Sequence, residues 1–106
     1  MPKISLNIAD LQAEKKALGE FLARPDAYNE PEFGTKNRRL SELEDVIAKA
    51  QERETLESNL VDARDLANGG DELAELAKAE IIESEARLAE LENELFIMLT
   101  PKDPTD

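Results

Sequence analysis

The residues that could do chemistry in this chain are few in type. Its 106 residues include no His and no Cys. That removes Ser/His/Asp and Cys/His nucleophile sets, disulfides and zinc-type sites. Carboxylates are plentiful, 25 Asp and Glu against 13 Lys and Arg. A catalytic carboxylate pair needs a cleft that separates two pKa values, whereas these acids recur along helix faces open to solvent. No catalytic, cofactor-binding or metal-binding residue is assigned, no cofactor is implied, and the chain is expected not to be an enzyme. Two clusters remain. Lys36, Arg38 and Arg39, with Lys15 and Lys16, could position a nucleic-acid phosphate, or could be a solvated face that balances acids. Two or three cations can position such a contact but not supply its affinity. Asn68, Gly69 and Gly70 lie in "DLANGGDELAE". Counted from Asp65, the alternate oxygen positions of a calcium loop fall on Ala67 and Gly69, and the GK[ST] ending of a phosphate loop is absent. This segment reads as a helix–helix turn.

Such clusters need elements to hold them. Hydrophobic residues make up 41% of the chain and charged residues 36%, with three Phe, one Tyr and no Trp. Ala, Glu, Leu, Lys and Arg dominate, the composition of long helices and coiled coils. One domain with a narrow core fits this length. A net charge of −12 argues against autonomous binding to DNA or to an anionic membrane. The start, "MPKISLNIADLQAEKK", lacks the apolar core of a signal peptide. No apolar run reaches membrane-spanning length. A cytoplasmic location is expected.

Three helical segments follow from the apolar spacing. The first runs from Asn7 or Ile8 to Ala23, with Ile8, Leu11, Leu18 and Leu22 on one face and Phe21 beside them. Asn7 and Asp10 are candidate N-caps. Pro25 stops this helix. Asn29 with Glu32 reads as a capping box, and Pro31 suits a first helical turn. The second helix is expected from Pro31 to Asn68, roughly 37 residues or ~55 Å at 1.5 Å per residue. Phe33, Leu40, Leu43, Val46, Ile47 and Ala50 form its first apolar face. After the polar "QERE" the stripe is Leu56, Leu60, Ala63 and Ala67, about half a turn around. Either the helix bends near residues 51–54, or its halves meet different partners. Asn68 and Gly69 suit a left-handed C-cap, and Asp71 starts the third helix, which ends at Leu99 before Thr100-Pro101. Ala74, Ala77, Ile81, Ser84, Leu88, Leu91, Leu95 and Met98 form a four-heptad seam. Glu20–Arg24 and Glu83–Arg87 have the favourable order for exposed pairs.

The fold class is all-α: a short helix packed on a long antiparallel helical hairpin, three-helix and coiled-coil-like. The first helix can cover only the first half of the second. A three-helix layer is expected near residues 33–50, with a thinner two-helix tip toward residues 68–71. The helix-three seam is expected to pack internally, which makes the chain a monomer. A stand-alone coiled-coil adaptor that dimerises through that seam is the alternative.

The tail "MLTPKDPTD" after a Leu/Glu-rich helix resembles the end of the N-terminal helical domain of bacterial class I peptide chain release factors. "ARPDAYNEPE" resembles the family's break between helices one and two. "RRLSELEDVI" is similar to its helix-two segment, and "ELAKAEIIESEARLAELENEL" to its long third helix. The tail is more like the factor that reads UAA and UAG than its UGA-reading paralogue, although "PDAYNEPE" also resembles the paralogue. The resemblance implies that residues 1–100 are this helical domain and residues 101–106 begin a linker. The family's codon-reading tripeptide and Gly-Gly-Gln loop belong to later domains, so none of their residues carries over; Gly69-Gly70 is followed by Asp71. By resemblance, the chain is a ribosome-docking module of translation termination. It would contact the base of the large-subunit stalk and take part in coupling to the class II GTPase release factor. Lys36, Arg38, Arg39, Asn68, Gly69 and Gly70 are the candidate contact residues, on grounds of charge and exposure.

Overall fold

A computed structural model describes residues 5–99. Three α-helices follow one another: α1, Ile8–Leu22; α2, Phe33–Ala67; and α3, Glu72–Leu99. A 3-10 turn, Ala27–Asn29, lies between α1 and α2. No strand occurs among the described residues, so the all-α expectation holds. The "PKDP" segment lies outside the described residues. The chain divides into two compact units, with the boundary between Ala48 and Lys49.

The unit Ser5–Ala48 contains α1, the 3-10 turn and the first part of α2. Asn7 caps α1, its Oδ1 accepting from the Asp10 N–H at 3.2 Å. This satisfies one of the donors that a helix start leaves open. Leu11, Leu18, Phe21 and Leu22 are half-buried, and α1 has no fully buried residue. The chain leaves α1 through short i→i+3 closures: Arg24 N–H to Phe21 O at 3.3 Å and Ala27 N–H to Arg24 O at 3.0 Å. Ala27 is buried in the 3-10 turn. Helix α2 begins at Phe33, two residues later than the Pro31 expected from the sequence. Asn29 is not its cap, because it closes the 3-10 turn by donating its N–H to Asp26 O at 3.0 Å. Leu43, Val46 and Ile47 are buried.

The second unit begins at Lys49, and its described part pairs the rest of α2 with α3 as a hairpin. Ala74, Ala77, Ser84, Leu91 and Leu95 are buried on α3; Ile81, Leu88 and Met98 are half-buried between them. The four-heptad seam is therefore present at every expected position. On α2 the buried residues are Ala50, Arg53, Leu60 and Ala63. The polar "QERE" is not a gap in the stripe, since its Arg53 is part of the seam. With Arg53 counted, the buried positions pass from Ala50 through Arg53 to Leu60 and Ala63. Of the two expectations, a bend or different partners, the second fits better. The first half of α2 bonds to α1 through Arg39, and the second half to α3 through Glu52 and Arg53.

The connection at Asn68 also differs from the expected C-cap. Helix α2 tightens at its end, with Asn68 N–H to Asp65 O at 3.3 Å and Gly69 N–H to Leu66 O at 3.0 Å. These i→i+3 closures carry the chain past Asn68 and Gly69 before it reverses. Gly70 then takes the left-handed conformation, φ 75°, where a side chain would be strained. Asp71 caps α3 as expected, its Oδ1 accepting from the Ala74 N–H at 3.2 Å.

Candidate functional site

The basic cluster is not a single patch. Lys36 turns back toward α1, with its Nζ 4.4 Å from the centre of the Phe21 ring and 3.5 Å from Glu32. Arg24 lies 4.4 Å from the same ring centre and 3.8 Å from Glu30. Two cations thus share one aromatic ring, each attracted to its negative quadrupole. Arg24 takes these partners in place of the Glu20 expected from helix spacing.

Arg39 is held by a fork: Nε donates to Glu14 Oε2 at 2.7 Å and Nη2 to Glu14 Oε1 at 2.9 Å. Glu42 lies 3.8 Å from Nη1. The hydrogen bonds raise the Arg39 pKa and lower that of Glu14 below its ordinary value. Since Glu14 and Phe21 on α1 meet Arg39 and Lys36 on α2 in reverse order, the two stretches run antiparallel. Arg38 is exposed and makes no ion pair among the described residues. Together with Thr35, Arg39 and Glu42 it lines a shallow pocket of about 280 Å³. Within that pocket Arg38 is the uncommitted cation, while Arg39 is oriented and largely neutralised by Glu14. Lys15 and Lys16 are exposed on α1.

Asn68, Gly69 and Gly70 are all exposed at the hairpin turn. Spacing arguments missed the apolar residues beside them. Leu66, Leu73 and Leu76 are 49%, 54% and 69% exposed. Each stands one residue before a seam alanine: Ala67, Ala74 or Ala77. One residue is about 100° of helix rotation. In an antiparallel pair the same offset on both helices falls on the same side, so the three leucines share one lateral face near the turn. Val61 and Ile82 follow the seam residues Leu60 and Ile81 by one, which places them on the opposite side; both are exposed. The signal is present in the sequence as apolar residues displaced by one position from the seam.

Acids surround this end of the hairpin: Asp62, Asp65, Asp71, Glu72, Glu75, Glu80 and Glu83. Its two cations are engaged, Lys78 with Glu75 at 3.3 Å and Arg64 with Glu85 at 3.6 Å. The turn therefore presents apolar and acidic groups, whereas the pocket at Arg38 presents a cation. Among the described residues no group of three or more acidic side chains is placed to hold a metal ion. Nor is any described helix long and apolar enough to cross a membrane.

Fold and surface together define an all-helical, coiled-coil-like module whose distinctive chemistry lies on its outer faces. Comparison with known proteins narrows this. The family model described as the PCRF domain matches residues 11–106, and the chain belongs to that family. It is 38% identical over 101 residues to peptide chain release factor 1 of Maridesulfovibrio salexigens, covering 93% of this chain and 28% of that protein. Against peptide chain release factor 1 of Deinococcus deserti the identity is 38% over 104 residues, 97% of this chain and 28% of the relative. For the same factor of Alkaliphilus oremlandii it is 34% over 103 residues, 93% and 29%. The chain spans less than a third of the length of these relatives. No solved structure matches it. The resemblance to class I release factors inferred from the sequence is borne out at the level of family.

Proposed function

We propose that this chain is the ribosome-docking N-terminal domain of a translation termination factor. The observation that carries the reading is the PCRF match over residues 11–106, with relatives that are peptide chain release factors 1. In this reading residues 1–100 form the domain, and residues 101–106 begin the linker to codon-reading and peptide-releasing domains. The module performs no covalent chemistry. It positions a UAA/UAG-type factor in the cytoplasm, at the base of the large-subunit stalk, and takes part in coupling to the class II GTPase factor.

Two surfaces divide the work. The turn face, with Leu66, Leu73 and Leu76 among acids in excess over cations, suits apolar and basic groups of a protein. Apolar side chains in the middle of such a contact carry most of its energy. Arg38, beside the oriented Arg39, suits a single phosphate contact that sets orientation. A net charge of −12 makes RNA a secondary partner, because each phosphate contact draws its gain from a cation. The adaptor alternative needs the α3 seam as a dimer interface. Burial of Ala74, Ala77, Leu91 and Leu95 counts against it and favours a monomer.

The test is co-sedimentation with purified large ribosomal subunits, together with a peptide-release assay on stop-codon complexes. The chain is expected to pellet with the subunits, to compete with an intact release factor, and to release no peptide itself. The triple variant L66D/L73D/L76D is expected to lose at least tenfold in affinity, and Arg38→Gln about threefold, since ~1.4 kcal/mol is a factor of ten. Absence of subunit binding, or peptide release by the chain alone, would sink the proposal.

A further inference from the structure

Arg53 occupies a seam position between Ala50 and Leu60, where a coiled-coil pair ordinarily takes an apolar side chain. It is 5% exposed. Its Nη1 donates to Glu92 Oε1 at 2.8 Å, while its Nε–H is buried without an acceptor. Burying a guanidinium with one donor orphaned is a poor route to stability, because the desolvation cost offsets the attraction to Glu92. The neighbouring pairs point to a different role. Lys49 Nζ lies 3.3 Å from Glu94 Oε2. Arg87 forks Glu52, with Nε at 2.7 Å and Nη2 at 2.9 Å from its two oxygens.

These pairs discriminate between alignments of α2 and α3. Slide α3 by seven residues in one direction and Lys49 faces Arg87, Glu52 faces Glu80, and Arg64 faces Lys78. Slide it the other way and Glu52 faces Glu94, while Arg53 faces Leu99, with no acid opposite it among the described residues. One pair survives each slip, Arg53 with Glu85 in the first and Arg64 with Glu92 in the second. Each slip still sets like charges against one another, and the second also strands a guanidinium at an apolar position. The apolar seam is a weaker guide. Its heptad spacing stays in phase after a seven-residue slip, and Ala50, Ala63, Ala74, Ala77 and Ser84 are small, so that Leu60, Leu91 and Leu95 are the buried residues that resist it by size. The turn restrains alignment as well, since a seven-residue slip moves its centre about half that number of residues away from Gly70 and the Asp71 cap.

We propose that the Arg53–Glu92 pair bars the slip that would set Arg53 against Leu99, while the Lys49, Glu52, Arg87 and Glu94 charges around it bar the other, so that together they select the register of the α2–α3 hairpin at a cost in stability. The device stands on the hairpin alone and does not depend on the docking reading. The chain has no cysteine, so spin labels can be attached at Gln51→Cys and Asn93→Cys, both exposed positions. Pulsed EPR on the otherwise unchanged chain is expected to give one narrow distance. The apolar replacement R53L/E92L is expected to raise Tm by roughly 5 °C. It is also expected to add longer distances, because a slip of seven residues slides α3 by ~10 Å along α2. The swapped pair R53E/E92R is expected to return the distribution to one distance. A single unchanged distance in R53L/E92L would overturn the proposal. So would a fall in its Tm or a failure to fold, since the pair would then be a stabiliser and not a selector. A folded R53E/E92R that keeps several distances would overturn it as well.

Discussion

The middle and the tip of the hairpin solve the pairing of α2 with α3 in different ways. In the middle, Leu91 and Leu95 are fully buried. They are flanked by Arg53 bonded to Glu92, and by Arg87 forked to Glu52. Near the turn the buried residues are Ala63, Ala74 and Ala77, and Leu66, Leu73 and Leu76 face solvent. The middle buries large groups and specifies partners through charge. The tip buries little and keeps its apolar side chains available. A helix pair can thus be stable at one level and adhesive at another, because a shift of one residue moves a leucine about 100° from seam to surface.

The largest effect should come from Leu91→Ala, which removes a fully buried side chain from the middle. We expect a loss of about 3 kcal/mol, read as a shift of the urea midpoint. The control Leu76→Ala at the tip should stay within about 0.5 kcal/mol, because that side chain is exposed. Comparable losses in the two variants would erase the contrast between the regions.

Next comes the turn itself. Gly70→Ala forces a side chain into a left-handed position and should cost ~1 kcal/mol, while Gly19→Ala in α1 should stabilise by a few tenths up to ~1 kcal/mol. A neutral Gly70→Ala would mean that the turn adopts another conformation.

Acid sensitivity should be smaller and should come from identifiable pairs. Hydrogen bonds from Arg39 and Arg87 hold Glu14 and Glu52 below the ordinary carboxylate pKa of 4.5. A depressed carboxylate binds its proton more readily in the unfolded chain. Its stabilisation is therefore complete above the unfolded value and is lost as pH falls through the folded one. Tm measured from pH 6 down to pH 3 should decline below about 4.5, and less steeply in Arg39→Gln and Arg87→Gln. Identical slopes in the variants and the unchanged chain would remove these pairs from the account.

The finest distinction is local. Amides of residues 60–77 should exchange faster than those of residues 33–50, since small side chains near the turn leave few apolar contacts to break. The reverse order would show that the tip is the more stable end.

Much of this is legible in the sequence. The Asn7 and Asp71 caps and all eight seam positions of α3 follow from local rules, which act over three or four residues. The start of α2 departs from the capping-box reading because the 3-10 turn takes up Asn29 for its own closure. The left-handed residue lies one position later than the C-cap pattern implies, because the end of α2 tightens. Of the candidate contact residues, Arg38 is exposed and uncommitted, and Asn68, Gly69 and Gly70 are exposed as expected. Lys36 and Arg39 are occupied by α1, which no spacing within α2 could reveal.

The sequence by itself determined the helices, their breaks, the α3 seam and the family, since periodicity, caps and motif order are properties of neighbouring residues. Only the tertiary structure decided that Arg53 is a core residue, that Arg87 turns to Glu52 and not to Glu83, and that three leucines share an open face. Those outcomes depend on which side chains a second helix brings within bonding distance. A buried charge is tolerated only where a partner from that second helix compensates its lost water.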